Sequence, residues 1–350
     1  MSRQVIRYLI TSDGVRLAWA EAGSGTPLVK ASNWLSHLEF DWESPVWRHW
    51  IRFFSNHFRF VRYDERGCGL TDWDAADLSL ERRTEDLEEV IDAAKLDRPM
   101  TLLGISQGGA TCITYAVRHP ERISRLILYG AYARGVWRRG QPDAEREFRA
   151  IIDLVRVGWA KDNPAFRQVF TSRFIPSGTE EQIRWFNELA RKTTSPAIAA
   201  TILDIRGHID VVDLLGQIQV PTLVLHGRDD AVVPFAEGKL LASQIPNAEF
   251  VELDSRNHVL LEHEPAWKRF CEAVLEFTEE NHGLPFASLS PREREILSLL
   301  TEGLSNADIA ARLGISGKTV RNHLSNLFDK LGVWTRAQAI VFARDRGFTR

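Results

Sequence analysis

Cysteine is scarce: Cys68, Cys112 and Cys271 are the only three in 350 residues, and they stand far apart. So few, so scattered, they exclude a disulfide framework and a zinc site and fit reduced thiols. Long apolar runs are missing too; none approaches the roughly 18 residues that a membrane-spanning helix needs. The opening stretch, MSRQVIRYLITSDG, lacks the apolar core of a secretory signal, so a cytoplasmic protein is expected. There is no internal repeat and no low-complexity segment, and no metal or cofactor is expected. Net charge is small at −3, which taken alone argues against a nucleic-acid partner.

What is present changes that reading. Hydrophobic residues make up 44% and charged residues 26%, the balance of a folded globular chain long enough for two or three domains. The charge is unevenly distributed. From Leu284 to Arg350 there are 10 Lys/Arg against 6 Asp/Glu, whereas Met1 to Gly283 holds 34 against 41. A basic tail on an acidic body implies two parts with different partners.

The acidic part alternates strand and helix patterns, which predicts an α/β fold with a mostly parallel sheet covered on both faces. Gln4–Ile10 and Val15–Glu21 read as a hairpin around Ser12-Asp13-Gly14. Further strands are predicted at Leu28–Ala31, Phe58–Tyr63, Thr101–Leu103, Leu126–Leu128, Thr222–Leu225 and Phe250–Leu253, with helices at Glu81–Ala94 and Gly109–Arg118. Between about 131 and 215 the alternation lapses into helical patterns, with candidates Ala144–Val157, Glu180–Arg191 and Ala197–Ile205. A helical insertion in such a sheet is expected to cap its C-terminal edge, where ligands bind. Its aromatics (Trp137, Trp159, Phe166, Phe170, Phe174, Trp185, Phe186) are expected mostly to pack with one another, with one or two facing the cleft. An amphipathic helix, Pro265–Thr278, ends this part at residue 278, and residues 279–288 (EENHGLPFAS) form the expected linker.

Gly104-Ile105-Ser106-Gln107-Gly108 follows an apolar strand and opens a helix. A serine there sits on a sharp turn that needs small neighbours, its hydroxyl at a helix N-terminus whose dipole favours developing negative charge. Asp230 follows the strand at Thr222–Leu225, and His258 follows the strand at Phe250–Leu253, so all three come to one sheet edge. A serine, a carboxylate and a histidine at one edge suit nucleophilic catalysis: Ser106 would attack, His258 would take its proton, and Asp230 would orient and stabilise the imidazolium. Asp229 reads as a solvated neighbour of the acid, and His37, His226 and His263 as loop or strand-end histidines.

GISQGG, HGRDDAVVP and NHVLLEHEP, with Asp64-Glu65-Arg66-Gly67-Cys68-Gly69 after the fourth strand, resemble the α/β-hydrolase family over roughly Val5 to Thr278. The resemblance implies a serine hydrolase triad and an oxyanion hole of two backbone N–H groups, here those of Trp34 and Gln107. One departure stands out. The family usually carries His-Gly after the third strand, where this chain has Ser32-Asn33. Main-chain donors need no particular side chain, but losing one costs about 10²–10³ in rate, so the substitution bears on whether the site turns over.

The basic tail reads as a small all-α domain, 289–350. Ser290 and Pro291 start a helix that Gly303 stops. Ser305 caps a second, Gly314 makes a tight turn, and Ser316 caps a third over Gly317–Leu331, with Val320, Leu324, Leu327 and Leu331 on one stripe. Two short helices about a glycine turn, the second carrying exposed basic residues, form a helix-turn-helix pattern. The run LSPREREILSLLTEGLSNADIAARLGISGKTVRNHLSNLFDKLGV closely resembles the LuxR-type DNA-binding domain, and the likeness spans Ser288–Phe348. It implies that the third helix enters the major groove of double-stranded DNA. Arg321, Asn322 and Ser325 would face outward there, Lys318 and Thr319 would meet phosphates, and Arg336–Arg344 would pair two copies as a homodimer. A regulator whose hydrolase-like domain (1–278) binds a small effector, with or without cleaving it, is the expectation. The alternative is a serine hydrolase merely tethered to DNA.

Overall fold

The computed structural model describes residues 3–96, 98–278, 286, 289–331, 333, 335–345 and 348. The chain divides into two compact units, Met1–Leu275 and Glu276–Arg350. The expected linker, 279–288, lies outside the described residues except for Phe286.

In the first unit the strands β1 (Val5–Ile10), β2 (Arg16–Ala22), β3 (Pro27–Lys30), β4 (Arg59–Tyr63), β5 (Met100–Ile105), β6 (Ile123–Tyr129), β7 (Thr222–Gly227) and β8 (Glu249–Leu253) form one sheet. Its order is β1-β2-β4-β3-β5-β6-β7-β8. The predicted hairpin, β1 with β2, is antiparallel, as is β2 with β4; the pairs from β4 across to β8 are parallel. Strands β5 and β7 are buried at every position, which is why they read as unbroken apolar runs rather than as alternation. Because β3 lies between β4 and β5, the connections leaving β3 and β5 diverge. That opens a crevice at the C-terminal ends of those strands.

Helices α1 (Leu38–Trp42) and α2 (Arg48–His57) lead from β3 to β4, α3 (Leu80–Ala94) from β4 to β5, and α4 (Gly108–Arg118) from β5 to β6. Between β6 and β7 come α5 (Pro142–Gly158), α6 (Ala165–Phe174), α7 (Glu180–Thr193), α8 (Pro196–Gly207) and α9 (Val212–Leu215). Helix α10 (Phe235–Gln244) links β7 to β8, and α11 (Pro265–Thr278) follows. Ends are set locally. The Ser79 side chain accepts the Arg82 N–H at the start of α3, Thr179 and Gln182 form a reciprocal cap on α7, and Ser195 with Pro196 starts α8. Leu17, Val29, Leu102, Ile113, Leu126 and Val224 belong to one buried core between sheet and helices.

The second unit holds α12 (Pro291–Thr301), α13 (Asn306–Leu313), α14 (Gly317–Leu331) and α15 (Arg336–Asp345). Ser290 with Glu293 and Ser305 with Asp308 make capping boxes, and Gly314 (φ 64°) supplies the left-handed turn between α13 and α14. Ile296, Leu300, Ile309, Val320, Leu324 and Leu327 form a separate core.

Candidate functional site

The chain turns from β5 into α4 through Ser106, held at φ 55°. A side-chain-bearing residue in that conformation stores strain of order 1–3 kcal/mol. Its N–H donates to Tyr129 O at 3.0 Å, and its carbonyl accepts the Gly109 N–H at 3.0 Å. The flanking glycines are a packing requirement: a Cβ on Gly104 would lie 2.7 Å from Gly109 Cα, and one on Gly109 would lie 2.5 Å from Ala131 Cβ.

Asp230 and His258 meet behind this turn. His258 Nδ1 lies 2.7 Å from Asp230 Oδ2, while Asp230 Oδ1 accepts the N–H groups of Val232 at 2.8 Å and Val233 at 3.0 Å. Burial pushes the Asp230 carboxyl up, but the charge and hydrogen bond of His258 hold it below the usual carboxylate range. The backbone of His258 is fixed as well: Tyr129 Oη donates to its carbonyl at 3.0 Å, and its N–H donates to Phe174 O at 2.9 Å. The Phe174 ring stands edge-on to the imidazole, with centroids 5.3 Å apart. Gly130, at φ 53°, lies against the pair; a Cβ there would come within 3.2 Å of His258 Cε1. The other imidazole nitrogen, Nε2, is buried with no hydrogen-bond partner among the described residues, Ser106 included. Unliganded sites often hold such a bond open until substrate aligns it.

Ser106, Trp34, Gln107 and Asp230 line a cavity of about 190 Å³, to whose wall α5, α6 and α8 also contribute. Phe170 and Phe174 are the two singled-out aromatics of the insertion that line it. Trp159 instead stacks on Trp34 (5.2 Å, 12°), Trp185 stacks on Phe40 (4.6 Å), and Trp137 packs against Phe148 (5.4 Å). Trp34 and Gln107, the residues expected to supply backbone donors, thus line the same cavity as the serine. Ser32 and Asn33 are absent from this cavity's lining. The Asn33 side chain accepts from Lys30 Nζ, and Asn33 lines a smaller void of about 30 Å³.

Sequence reasoning missed the charges beneath the crevice. Lys30, Asp41, Arg62 and Asp64 form a buried cluster at the end of β3 and β4; burial raises the Asp41 and Asp64 carboxyls and lowers the Lys30 ammonium. Glu65 pairs with both Arg83 and Arg206, and Arg66 holds Asp86 through two 2.7 Å bonds. Only the loop Asp64–Gly69 was singled out in the sequence; its arginine partners lie far along the chain, with no spacing to reveal them. Of the remaining histidines, His37 caps α1 by accepting the Phe40 N–H, and His226 is buried with Nε2 3.0 Å from Val233 O. Asp229 is exposed.

On α14, Lys318, Arg321, Asn322 and Ser325 are exposed and share a face by their i, i+3, i+4, i+7 spacing; Val320, Leu324, Leu327 and Leu331 are buried opposite. Thr319 is half-buried. Its N–H donates to Ser316 Oγ at 3.1 Å, and the two hydroxyls lie 2.9 Å apart, so it takes part in capping the helix.

Sheet order, elbow serine and paired acid and imidazole define the first unit as an α/β-hydrolase in architecture, and the second is a helix-turn-helix. The chain belongs to the α/β-hydrolase-fold family, whose model matches residues 41–265, and residues 287–343 match the bacterial regulatory proteins of the luxR family. The AB hydrolase superfamily protein YisY of Bacillus subtilis is 29% identical over 257 residues, 72% of this chain and 91% of its own. A 2-hydroxy-6-oxo-6-(2'-aminophenyl)hexa-2,4-dienoic acid hydrolase of Metapseudomonas resinovorans is 28% identical over 242 residues, 65% of this chain and 76% of its own. Among solved structures, a hydrolase from Pseudomonas aeruginosa superposes with TM-score 0.63 at 28% identity, covering 78% of this chain and 97% of that one. The luxR-family match supports a DNA-binding regulator. No helix among the described residues is long and apolar enough to cross a membrane.

Proposed function

We propose that this chain is a DNA-binding transcription regulator whose first domain, 1–278, binds a small acyl compound beneath its helical cap (about 131–215) and hydrolyses it. The second domain, 289–350, reads an operator. The observation that carries this reading is the 190 Å³ cavity with Ser106, Trp34, Gln107 and Asp230 in its wall, in a chain that also matches the luxR family. Ser106 Oγ attacks the carbonyl of an ester, thioester or lactone while its proton passes to His258 Nε2. The oxyanion is met by the N–H groups of Trp34 and Gln107, and Asp230 keeps the imidazole oriented and stabilises its cation. His258 then gives the proton to the leaving group, and water, activated by the same nitrogen, releases the acid from Ser106.

Two copies pair through α15, so the operator is a pseudo-palindrome with half-sites about one helical turn apart. Ligand occupancy shifts DNA affinity by a coupling of roughly 1–3 kcal/mol, and operator DNA shifts ligand affinity by the same factor. The test has two arms on the full-length protein. One measures hydrolysis of 4-nitrophenyl butyrate and labelling of Ser106 by a fluorophosphonate. The other measures affinity for a duplex selected from a random pool, with and without ligand. Labelling and turnover without any DNA selectivity would leave a plain hydrolase. DNA selectivity without labelling or turnover would leave a regulator that does not cleave its ligand.

A further inference from the structure

The cavity's polar groups have a sign. Arg139, Arg173 and Arg206 line it, against Glu147 and Asp230. Asp230 is already engaged by His258 and two backbone N–H groups, and Glu147 lies 3.9 Å from Arg173 with most of its side chain in solvent. The other two arginines share their carboxylates with a second guanidinium. Glu65 serves Arg206 and Arg83, and Glu237 serves Arg134 at 2.8 Å and Arg139 only at 3.8 Å. Each of these two clusters therefore keeps one unmatched positive charge.

Both unmatched cations line the same cavity and are largely out of water. The Arg139 guanidinium lies over the Tyr132 ring at 5.3 Å, and the charges of Arg139 and Arg206 both act on the buried Tyr132 phenol. Arg139 gives its Nε–H to Arg134 O at 2.8 Å, while its two terminal nitrogens have no hydrogen-bond partner among the described residues. The buried Arg206 Nε and Gln107 Nε2 are likewise unpartnered donors. Buried N–H groups left unmatched cost free energy, and a guanidinium fork is shaped for a carboxylate. The remaining wall is apolar: Val136, Ile151, Phe170, Phe174 and Leu203.

We infer that the ligand of this site is a monoanion, a small acyl compound bearing a free carboxylate that is held between Arg139 and Arg206 while its apolar body lies against the cap. The proposal rests on the effector-binding reading above and adds the chemical class. Size narrows it further. A cavity of about 150 Å³ accepts one benzene, so 190 Å³ admits a single ring or a short chain together with its carboxylate.

The test compares benzoate with benzyl alcohol, which share a ring and differ in charge, by calorimetry on the full-length protein. Benzoate should bind about tenfold or more tightly, the worth of one charge-assisted hydrogen bond. Arg139→Gln should erase that preference and leave benzyl alcohol unchanged. Glu147→Gln alters a carboxylate that is 71% exposed, so the fold is safe; it should tighten benzoate two- to threefold and leave benzyl alcohol alone. This second variant keeps the test decisive even if Arg139→Gln fails to fold. Equal affinities for the two probes, no binding of benzoate at millimolar concentration, or equal shifts of both probes in Glu147→Gln would each overturn the proposal. A benzoate preference in protein that neither turns over 4-nitrophenyl butyrate nor labels with fluorophosphonate upholds the carboxylate site and removes the hydrolase. Turnover of that neutral ester without benzoate preference does the reverse.

Discussion

The two units place their polar residues in opposite ways. In the first, Ser106 is 5% and His258 1% exposed, and their neighbours Tyr129, Gly130 and Phe174 hold them in position. In the second, Lys318, Arg321, Asn322 and Ser325 stand in solvent on a helix whose other face is packed. The contrast follows from the work each would do. Bond-breaking groups need a dry, fixed setting, where electrostatic interactions are strong. Groups that read another molecule must stay unpartnered until it arrives. Substitutions in the first unit should therefore couple fold to function, and those on α14 should separate them.

The sharpest test of that contrast is Ser106→Ala. Ester turnover should fall by roughly four or more orders of magnitude, because nucleophile and base act as one unit. His258→Ala should match it, while operator affinity without ligand stays unchanged. If the two variants differ by more than about tenfold, Ser106 and His258 are not working together, and the first unit loses its claim to a coupled interior.

Acid should strain the first unit through another of its buried histidines. His49, with Nε2 3.0 Å from Leu260 O, has its pKa lowered by burial from 6.5 to about 4. The unfolded chain therefore binds that proton first as pH falls. His49's contribution is whole above pH 6.5 and is lost as pH falls from 6.5 towards 4, up to about 3 kcal/mol. Denaturant melts at pH 7 and pH 5 should show the loss, and His49→Gln should shrink it. An unchanged pH slope in that variant assigns the effect to another group.

On the exposed face, Arg321→Ala should weaken specific DNA by about 1–3 kcal/mol without moving the melting temperature, whereas Lys318→Ala should weaken all sequences alike and flatten the salt slope. A fall in melting temperature for Arg321→Ala would break the comparison from the other side. The smallest effect is expected from Ser106→Gly. Relieving φ 55° should stabilise the first unit by about 1 kcal/mol even as turnover disappears, measurable as a higher denaturation midpoint.

Much of this was legible in the sequence, for physical reasons particular to each element. Strands β5 and β7 announce themselves because both faces are covered, and α12 and α13 because Ser290 and Ser305 cap them with an acidic residue three positions on. GISQGG points to its own turn because the packing there tolerates no bulk at Gly104 or Gly109. Helices α2 and α6 went unread: neither has a side-chain cap, and α6 has little amphipathic pattern to compensate. The charge clusters were invisible for a different reason. Glu65 and Arg206 lie 141 positions apart, as do no residues that a local pattern can join. The Ser32-Asn33 departure was visible, but not its outcome, because Lys30 draws the Asn33 side chain away from the main cavity.

One hydrogen-bonded corner has a consequence for traffic through the site. The carbonyl of Phe174, the last residue of α6, accepts the N–H groups of both His258, at 2.9 Å, and Val259, at 3.2 Å. The roof is thus latched to the very loop that carries His258. Lifting that corner to admit a molecule strips one bond from the backbone of His258 and one from that of Val259, so an open doorway there would loosen the setting of the imidazole. A molecule that enters past α5 and α8 leaves those bonds intact, whereas one that enters by the Phe174 corner would have to unseat and reseat the imidazole, making admission itself a step that the turnover rate would record.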